Sequence, residues 1–406
     1  MKVISIDIGT VNIKFVLLDI CDEYGIMVED FCIEPSAGVK YGSIIDVNSC
    51  SEMVAKGISN IIENNGDCNI DHYLVALNGK KINTVNGSAA IDFWSENGGE
   101  NVKISEDIIE DIIEKIKDDN SSKGEILHIF PQEYVVDDHP PTKNPIDISG
   151  RKLKASAKLV IDESTHCENL NSVMLKCGIK NYIKVFAPVA LSEAVVHGDE
   201  RSGSIVLELG GGSCNLVIWY DGILREAFSI PLGSVHITQD IKIVLQTDIL
   251  SAEKLKIDHG TVLYEPFDGD PDINIPSSGI KIDGKGIKLS YISGIIQSRF
   301  EEIFELMIEK IYKTGFQSKI DSPIILTGDA FLIKNSDKMI QEMLNAETKW
   351  GKLRGITKKG KDIPESFFIA IGAAKFAYSN NIIQEVESGE TNNFFSKAKN
   401  WLKDLL

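Results

Sequence analysis

Two short segments, Asp7-Ile8-Gly9-Thr10-Val11-Asn12 and Glu208-Leu209-Gly210-Gly211-Gly212-Ser213-Cys214-Asn215, stand about 200 residues apart and share one design. In each, an apolar β-type run ends on an acid, and glycine follows two positions later. Glycine takes the Cβ out of a turn and lets backbone N–H groups approach phosphate oxygens. Gly9, Thr10, Asn12, Gly210, Gly211, Gly212 and Ser213 are therefore candidate phosphate-binding residues. Asp7 and Glu208 are placed to hold a magnesium ion through water, since that ion keeps several waters and takes few carboxylates. One acid-x-Gly turn is a common hairpin; two at matched positions point to a clamp around the phosphates of a nucleotide.

The flanks repeat as well. Runs 2–8, 13–20 and 26–33 read as a three-strand antiparallel meander, and runs 204–209, 213–220 and 223–230 read as a second, with Asp221-Gly222 as a tight-hairpin signal. Each meander leads into helical sequence, and such a repeated unit predicts two lobes with the site in the cleft between them. A third element, Ser322-Pro323-Ile324-Ile325-Leu326-Thr327-Gly328-Asp329, is an apolar strand breaking at Gly328. A strand-to-helix turn of this kind suits a nucleotide's sugar or α-phosphate.

A chain of 406 residues exceeds what one core usually supports, so several subdomains are expected. The net charge of -18 and pI near 4.9 disfavour general nucleic-acid binding, although a pocket of backbone N–H groups needs little net positive charge. Seven cysteines with no C-x-x-C pair fit neither a disulfide framework nor a zinc module and predict reduced thiols. The histidines show no metal-ligand spacing. The first residues, Met1-Lys2-Val3-Ile4-Ser5-Ile6-Asp7, put an acid where a signal peptide is apolar, and no stretch approaches ~20 apolar residues.

Within the first half, Ser105 caps a helix carrying Ile108, Ile109, Ile112, Ile113 and Ile116 on one face and ending near Asp119. It lies in a small α/β insert over 79–162, with strands at 125–130 and 153–161 and an exposed loop at 137–150. Residues 379–393 read as a polar tether. Beyond it, Phe394, Phe395, Ala398, Trp401, Leu402, Leu405 and Leu406 share one helical face, and Lys397, Lys399 and Lys403 lie on the other. A helix over 393–406 is roughly 21 Å long, too short to span ~30 Å of hydrocarbon, and has the pattern of an in-plane anchor for anionic lipid.

Taken in order, the two hairpins and the Gly328 turn resemble the phosphate-1, phosphate-2 and adenosine motifs of the actin, Hsp70 and sugar-kinase superfamily. More specifically the chain resembles the FtsA family. His128-Ile129-Phe130-Pro131-Gln132-Glu133-Tyr134, with Asn144-Pro145 and Ser149-Gly150, is similar to the signature of its extra subdomain 1C, and Ser229-Ile230-Pro231-Leu232-Gly233-Ser234-Val235-His236-Ile237-Thr238-Gln239-Asp240 to the stretch after phosphate 2. Ala252-Glu253-Lys254-Leu255-Lys256 resembles the helix whose Glu and Lys reach the sugar and base, which assigns Glu253 and Lys256 beside Gly328 and Asp329; by residue type alone such a pair reads as a solvated helix face.

The resemblance implies an actin-like, ribonuclease H-like duplicated α/β fold. Its subdomains fall at 1–79 and 163–190 (1A), 80–162 (1C) and 191–378 (lobe 2, with 2B at 240–292 and a closing 1A helix near 366–378). A linker at 379–392 and a membrane-targeting helix at 393–406 follow, the latter with Phe394, Phe395, Lys397, Trp401, Leu402 and Leu405 as lipid contacts. It further implies ATP and Mg2+ as cofactors, and FtsZ, further copies of the chain, anionic lipids and later division proteins as partners, with no nucleic acid. Its place would be the cytoplasmic face of the inner membrane at the division site. Four positions depart from the family pattern: Glu208 and Asn215 stand where acids of aspartate length are usual, Asp329 where a glycine is, and Ala187 where many relatives carry a water-orienting Glu. Altered metal acids and a missing water-orienting group slow hydrolysis more than binding, so weak or absent turnover is expected. A small-molecule kinase of the same superfold is the alternative, but it has no use for a terminal lipid anchor.

Overall fold

The computed structural model describes residues 1–406 except 24, 67, 94–99, 164, 265–268, 275–285, 360–361 and 384–406. The chain opens with β1 (Lys2–Ile8), β2 (Asn12–Cys21) and β3 (Gly25–Pro35), then α1 (Val47–Asn64) and β4 (His72–Leu77). β1 pairs antiparallel with β2 and parallel with β4, so it lies inside the sheet, and the burial of its side chains on both faces accounts for its apolar run. The Asp46 carboxylate caps α1 by accepting from the N–H groups of Asn48 and Ser49 at 2.9 and 3.2 Å.

The insert follows, as β5 (Ile82–Asp92), α2 (Glu106–Asn120), β6 (Glu125–Val136) and β7 (Lys152–Asp162). Its sheet runs β5-β7-β6, with Ile109, Ile112 and Ile116 of α2 buried among Leu153, Ala155, Ala157 and Leu159. Both strands expected at 125–130 and 153–161 are longer than their apolar runs, because pairing with β7 extends β6 through Glu133 to Val136. The loop 137–150 is exposed at Pro140 and Pro141 but not throughout. It folds back so that Tyr134 and Thr142 exchange backbone hydrogen bonds at 2.8 and 2.9 Å, and Pro145 is buried.

The chain returns to the first lobe through α3 (His166–Lys176), β8 (Ile183–Phe186) and α4 (Ala187–Val195). The second lobe contains β9 (Gly203–Leu209), β10 (Cys214–Tyr220), β11 (Ile223–Ile230), α5 (Ser234–Leu245), α6 (Ile249–His259), α7 (Leu289–Thr314), β12 (Ile324–Thr327), α8 (Ser336–Leu344) and β13 (Thr348–Trp350). β14 (Ile356–Lys358) and α9 (Phe368–Ser379) rejoin the first lobe. The sheets run β8-β4-β1-β2-β3-β14 and β11-β10-β9-β12-β13, so the same five-strand order occurs twice. At the β10–β11 turn Asp221 and Gly222 both have positive φ, +58° and +76°, as the tight hairpin requires.

Helices α4 and α9 lie side by side as the seam between the sheets, α9 against β1 and β4 and α4 against β10 and β11. They approach closely: a Cβ on Gly372 would sit 1.8 Å from the Ala190 carbonyl oxygen. One apolar core runs through the seam from Ile4 and Phe15 to Val217 and Trp219. After α9 the chain stays packed through Ile383, which is 1 % exposed, so the expected tether does not begin at 379. The rest of the linker and the whole expected helix 393–406, with Phe394, Phe395, Lys397, Trp401, Leu402 and Leu405, lie outside the described residues.

His128 of β6 ties the insert to the seam. Its Nε2 accepts from the Phe186 N–H at 2.9 Å, its ring meets Phe376 edge-on at 4.8 Å, and burial drives its pKa down to about 3. A histidine neutral when folded but free to protonate near 6.5 when unfolded stabilises the fold above that pH, and the contribution is lost as pH falls from 6.5 towards 3. Between pH 6.5 and 5.5 the loss is about 1 kcal/mol. Thermal unfolding of the wild type should therefore weaken over this interval more than that of His128→Gln, and equal slopes for the two proteins would refute this role.

Candidate nucleotide site

The two hairpins meet across the cleft. In the first, Asp7 of β1 pairs in register with Lys14 of β2, and the Gly9 N–H donates to the Asn12 carbonyl at 3.1 Å. In the second, Glu208 of β9 pairs in register with Asn215 of β10, and the Gly210 N–H donates to the Ser213 carbonyl at 2.9 Å. Each acid thus has a partner seven residues on: Lys14 Nζ lies 2.8 Å from Asp7 Oδ2, and Asn215 Nδ2 donates to Glu208 Oε2 at 2.5 Å.

The tips touch, and the glycines permit it. A Cβ on Gly212 would lie 2.0 Å from Thr10 Oγ1, and one on Gly211 would lie 2.6 Å from Val11 Cγ2. Thr10 Oγ1 accepts from the Gly42 N–H at 2.9 Å, and Asn78 of the first lobe donates through Nδ2 to Ser213 Oγ at 3.1 Å. Asn78 Oδ1 and Asn215 Oδ1 are buried without a hydrogen-bond partner. Unsatisfied buried oxygens beside phosphate-type hairpins are groups that a hydrated ion or ligand can satisfy.

Lys14 holds the electrostatics together. Burial lowers its pKa, but the charges of Asp7, then Glu208 and Asp329, outweigh this and leave the ammonium above its ordinary value. Burial pushes Glu208 up to about 8; Lys14 pulls it down, and Asp7 and Asp329 push it up. Asp329 follows Gly328, whose φ is +105° and whose Cβ would meet the Leu209 carbonyl oxygen at 2.6 Å. It opens a 3-10 turn, Asp329–Leu332, ahead of α8 rather than a regular helix directly. Glu365 is raised by burial and then by the charge of Asp329, which puts a further acid at this edge.

Glu253 and Lys256 lie on α6. Lys256 is buried, at 6 % exposure, which excludes the solvated-face reading. Its Nζ contacts Glu253 Oε2 at 2.8 Å and Thr238 Oγ1 at 2.9 Å, and Thr238 also donates to Glu253 at 2.5 Å. Ala187, at the start of α4, is buried and brings no carboxylate.

Lys14, absent from the sequence-based site, shares the seven-residue offset that relates Glu208 to Asn215; Glu365 carries no such signal. Among the described residues no three His, Cys, Asp or Glu side chains converge as a metal-ligand cluster, and no helix is long and apolar enough to cross a membrane. The donor set of Asp7 and Glu208 suits an ion held through its waters better than one stripped of them.

The family model for "Cell division protein FtsA" matches residues 205–372, and that for "SHS2 domain inserted in FTSA" matches residues 79–161, the insert. The chain belongs to the FtsA family. It is therefore a member of a family of cell division proteins. It is 28% identical to FtsA of Buchnera aphidicola subsp. Baizongia pistaciae, with 99% of this chain and 97% of that one covered. It is 24% identical to FtsA of Escherichia coli K12 over the same shares, and 27% identical to that of Borreliella burgdorferi over 98% and 97%. Similar solved structures include the PilM–PilN type IV pilus biogenesis complex (TM-score 0.61, 12% identity, 92% and 98% covered). MreB5 of Spiroplasma citri bound to ADP also matches (0.55, 14%, 96% and 99%). These place the FtsA-family chain in the actin-like fold.

Proposed function

We propose that this FtsA-family chain binds ATP with Mg2+ in the interlobe cleft, assembles with further copies of itself on the cytoplasmic face of the inner membrane, and tethers FtsZ filaments there while recruiting later division proteins. The observation that carries the nucleotide part is the meeting of the two acid–glycine hairpins beside the half-buried ammonium of Lys14. Gly9, Thr10, Asn12 and Gly210, Gly211, Gly212, Ser213 would hold the phosphates. Glu253, Lys256, Gly328 and Asp329 would hold the nucleoside, and Asp7 and Glu208 would hold Mg2+ through water. The bound ion supplies positive charge to phosphates that Lys14 alone does not balance. MreB5 of Spiroplasma citri in complex with ADP and with AMPPNP is support from the same fold.

The membrane part rests on the sequence of 393–406, where Phe394, Phe395, Trp401, Leu402 and Leu405 oppose Lys397, Lys399 and Lys403. Such a helix binds reversibly, and assembly of several copies would multiply its hold. Ile243, Leu250 and Ile257, exposed at 68%, 78% and 70% on α5 and α6, offer apolar surface in the region expected to take the FtsZ tail. With Glu208 in place of a shorter acid and Ala187 carrying no carboxylate, ATP turnover should be slow, and rapid Mg2+-dependent hydrolysis by the pure protein would overturn that part.

Co-sedimentation with anionic liposomes tests the tether. The full chain should pellet with lipid and carry FtsZ with it, whereas a version ending at Glu390 should stay in solution. Equal pelleting of both versions would remove the anchor, and FtsZ left in the supernatant would remove the adaptor role.

A further inference from the structure

We propose that Tyr41 and His236 form a latch across the mouth of the cleft that holds the lobes together and sets how fast nucleotide enters and leaves. The proposal rests on the nucleotide reading above. Tyr41 belongs to the first lobe, in the connection between β3 and α1, where Val39–Lys40 and Ser43–Ile44 pair as a small ribbon. His236 belongs to the second lobe, in the first turn of α5. Their rings stack with centroids 4.7 Å apart and planes 23° from parallel. This is a ring pair between lobes, at half-buried positions, not a contact inside either core.

Each ring is tied to one phosphate hairpin. Next to Tyr41, the Gly42 N–H donates to Thr10 Oγ1 at 2.9 Å on the first hairpin. On the other side the His236 Nδ1 lies 3.1 Å from the backbone of Gly233. The N–H groups of Ser234 and Val235 donate to the carbonyls of Gly210 and Gly211 at 3.0 and 2.9 Å on the second hairpin. A movement of either hairpin is thus passed to one ring through one or two hydrogen bonds.

The latch residue sits in a tight turn of fixed geometry. Tyr41 has φ of +51° and Gly42 of +76°. A left-handed conformation is ordinary for glycine and unfavourable for a bulky aromatic residue, and such strain persists only where surrounding contacts hold it. Here the two-residue turn between Lys40 and Ser43, which requires positive φ at both central residues, and the Gly42–Thr10 bond hold it, and they present the Tyr41 ring to the stack. The Lys40 ammonium, 5.1 Å from the Tyr41 ring centroid, adds a second restraint on the ring.

Separating the lobes pulls Tyr41 off His236, so the stack opposes opening whether or not nucleotide is bound. Removing it should speed both entry and release and leave the ratio of the two little changed, because gating by a lid acts on rates. The test is stopped-flow release of a fluorescent ATP analogue from the full chain with Mg2+, chased by excess ATP. Tyr41→Ala should release roughly 5- to 10-fold faster than wild type, in line with the usual worth of a stacked pair. Tyr41→Phe, which keeps the ring, should release at the wild-type rate. A second readout needs no nucleotide: in the nucleotide-free protein, hydrogen exchange over 38–46 and the first turn of α5 should be faster in Tyr41→Ala, with the sheets unchanged. Wild-type release and wild-type exchange in Tyr41→Ala would overturn the latch while leaving the nucleotide reading in place. A wild-type protein that binds no analogue would overturn the nucleotide reading and the latch with it.

Discussion

Lys14→Met should lose nucleotide binding and, at neutral pH, destabilise the protein by about 3–5 kcal/mol, the range for removing one partner of a buried ion pair. The ammonium is the countercharge to Asp7 at 2.8 Å, with side-chain exposures of 17% and 8%, and also acts on Glu208 and Asp329. Methionine keeps most of the volume but none of the charge. Without it Asp7, which is buried, loses its countercharge. Glu208, which Lys14 pulls down, would be pushed up further. A phosphate approaching this pocket would meet acids with no resident cation. Differential scanning calorimetry and titration with an ATP analogue give the two readouts. A melting temperature within a degree of wild type would show that solvent, not Lys14, screens these acids.

Gly212→Val should reduce nucleotide affinity at least about 100-fold, equivalent to some 2.7 kcal/mol, with a smaller effect on folding. Its Cβ would be built 2.0 Å from Thr10 Oγ1 and 2.5 Å from Thr10 Cβ, closer than atoms tolerate, and Thr10 is itself fixed by Gly42. The strain is relieved most readily by parting the hairpins, which join central strands of two different sheets. The effect should be non-additive with Thr10→Gly, since that change removes the opposing Oγ1 and Cβ atoms. Equal damage in both backgrounds would place the fault elsewhere.

Much of this architecture was legible because local chemistry and global fold agree. The acid-x-Gly turns, the meanders and the Asp221-Gly222 hairpin are each dictated by a few neighbouring residues, and their repetition predicts two lobes of one topology. The helix over Ile109, Ile112 and Ile116 was readable from its period and its Ser105 cap. What could not be read depends on partners distant in sequence or across a strand pair. Lys14 looks like a lone charge in an apolar strand until register sets it opposite Asp7. Lys256 looks solvated until α5 brings Thr238 over it. Pro145 looks like loop surface until the segment folds back on Tyr134. Ile383 follows a polar turn yet packs with Val3 and Leu18. In each case tertiary packing overrides local character.

The departures at Glu208, Asn215, Asp329 and Ala187 acquire a physical meaning from the geometry. Glu208 is buried and meets the neutral amide of Asn215, so the second hairpin lacks the resident ammonium that pairs with Asp7 in the first. Such a site should favour holding the nucleotide over splitting it, which suits a switch that regulates assembly.

The most direct test of the central claim, that the cleft takes ATP with Mg2+, is the melting temperature of the purified full chain with and without MgATP. At a ligand concentration 100 times the wild-type Kd the folded state should gain about 2.7 kcal/mol, giving a clear upward shift for the wild type, against at most about 0.4 kcal/mol for Gly212→Val at the same concentration. A wild-type melting temperature unmoved by saturating MgATP would contradict the account.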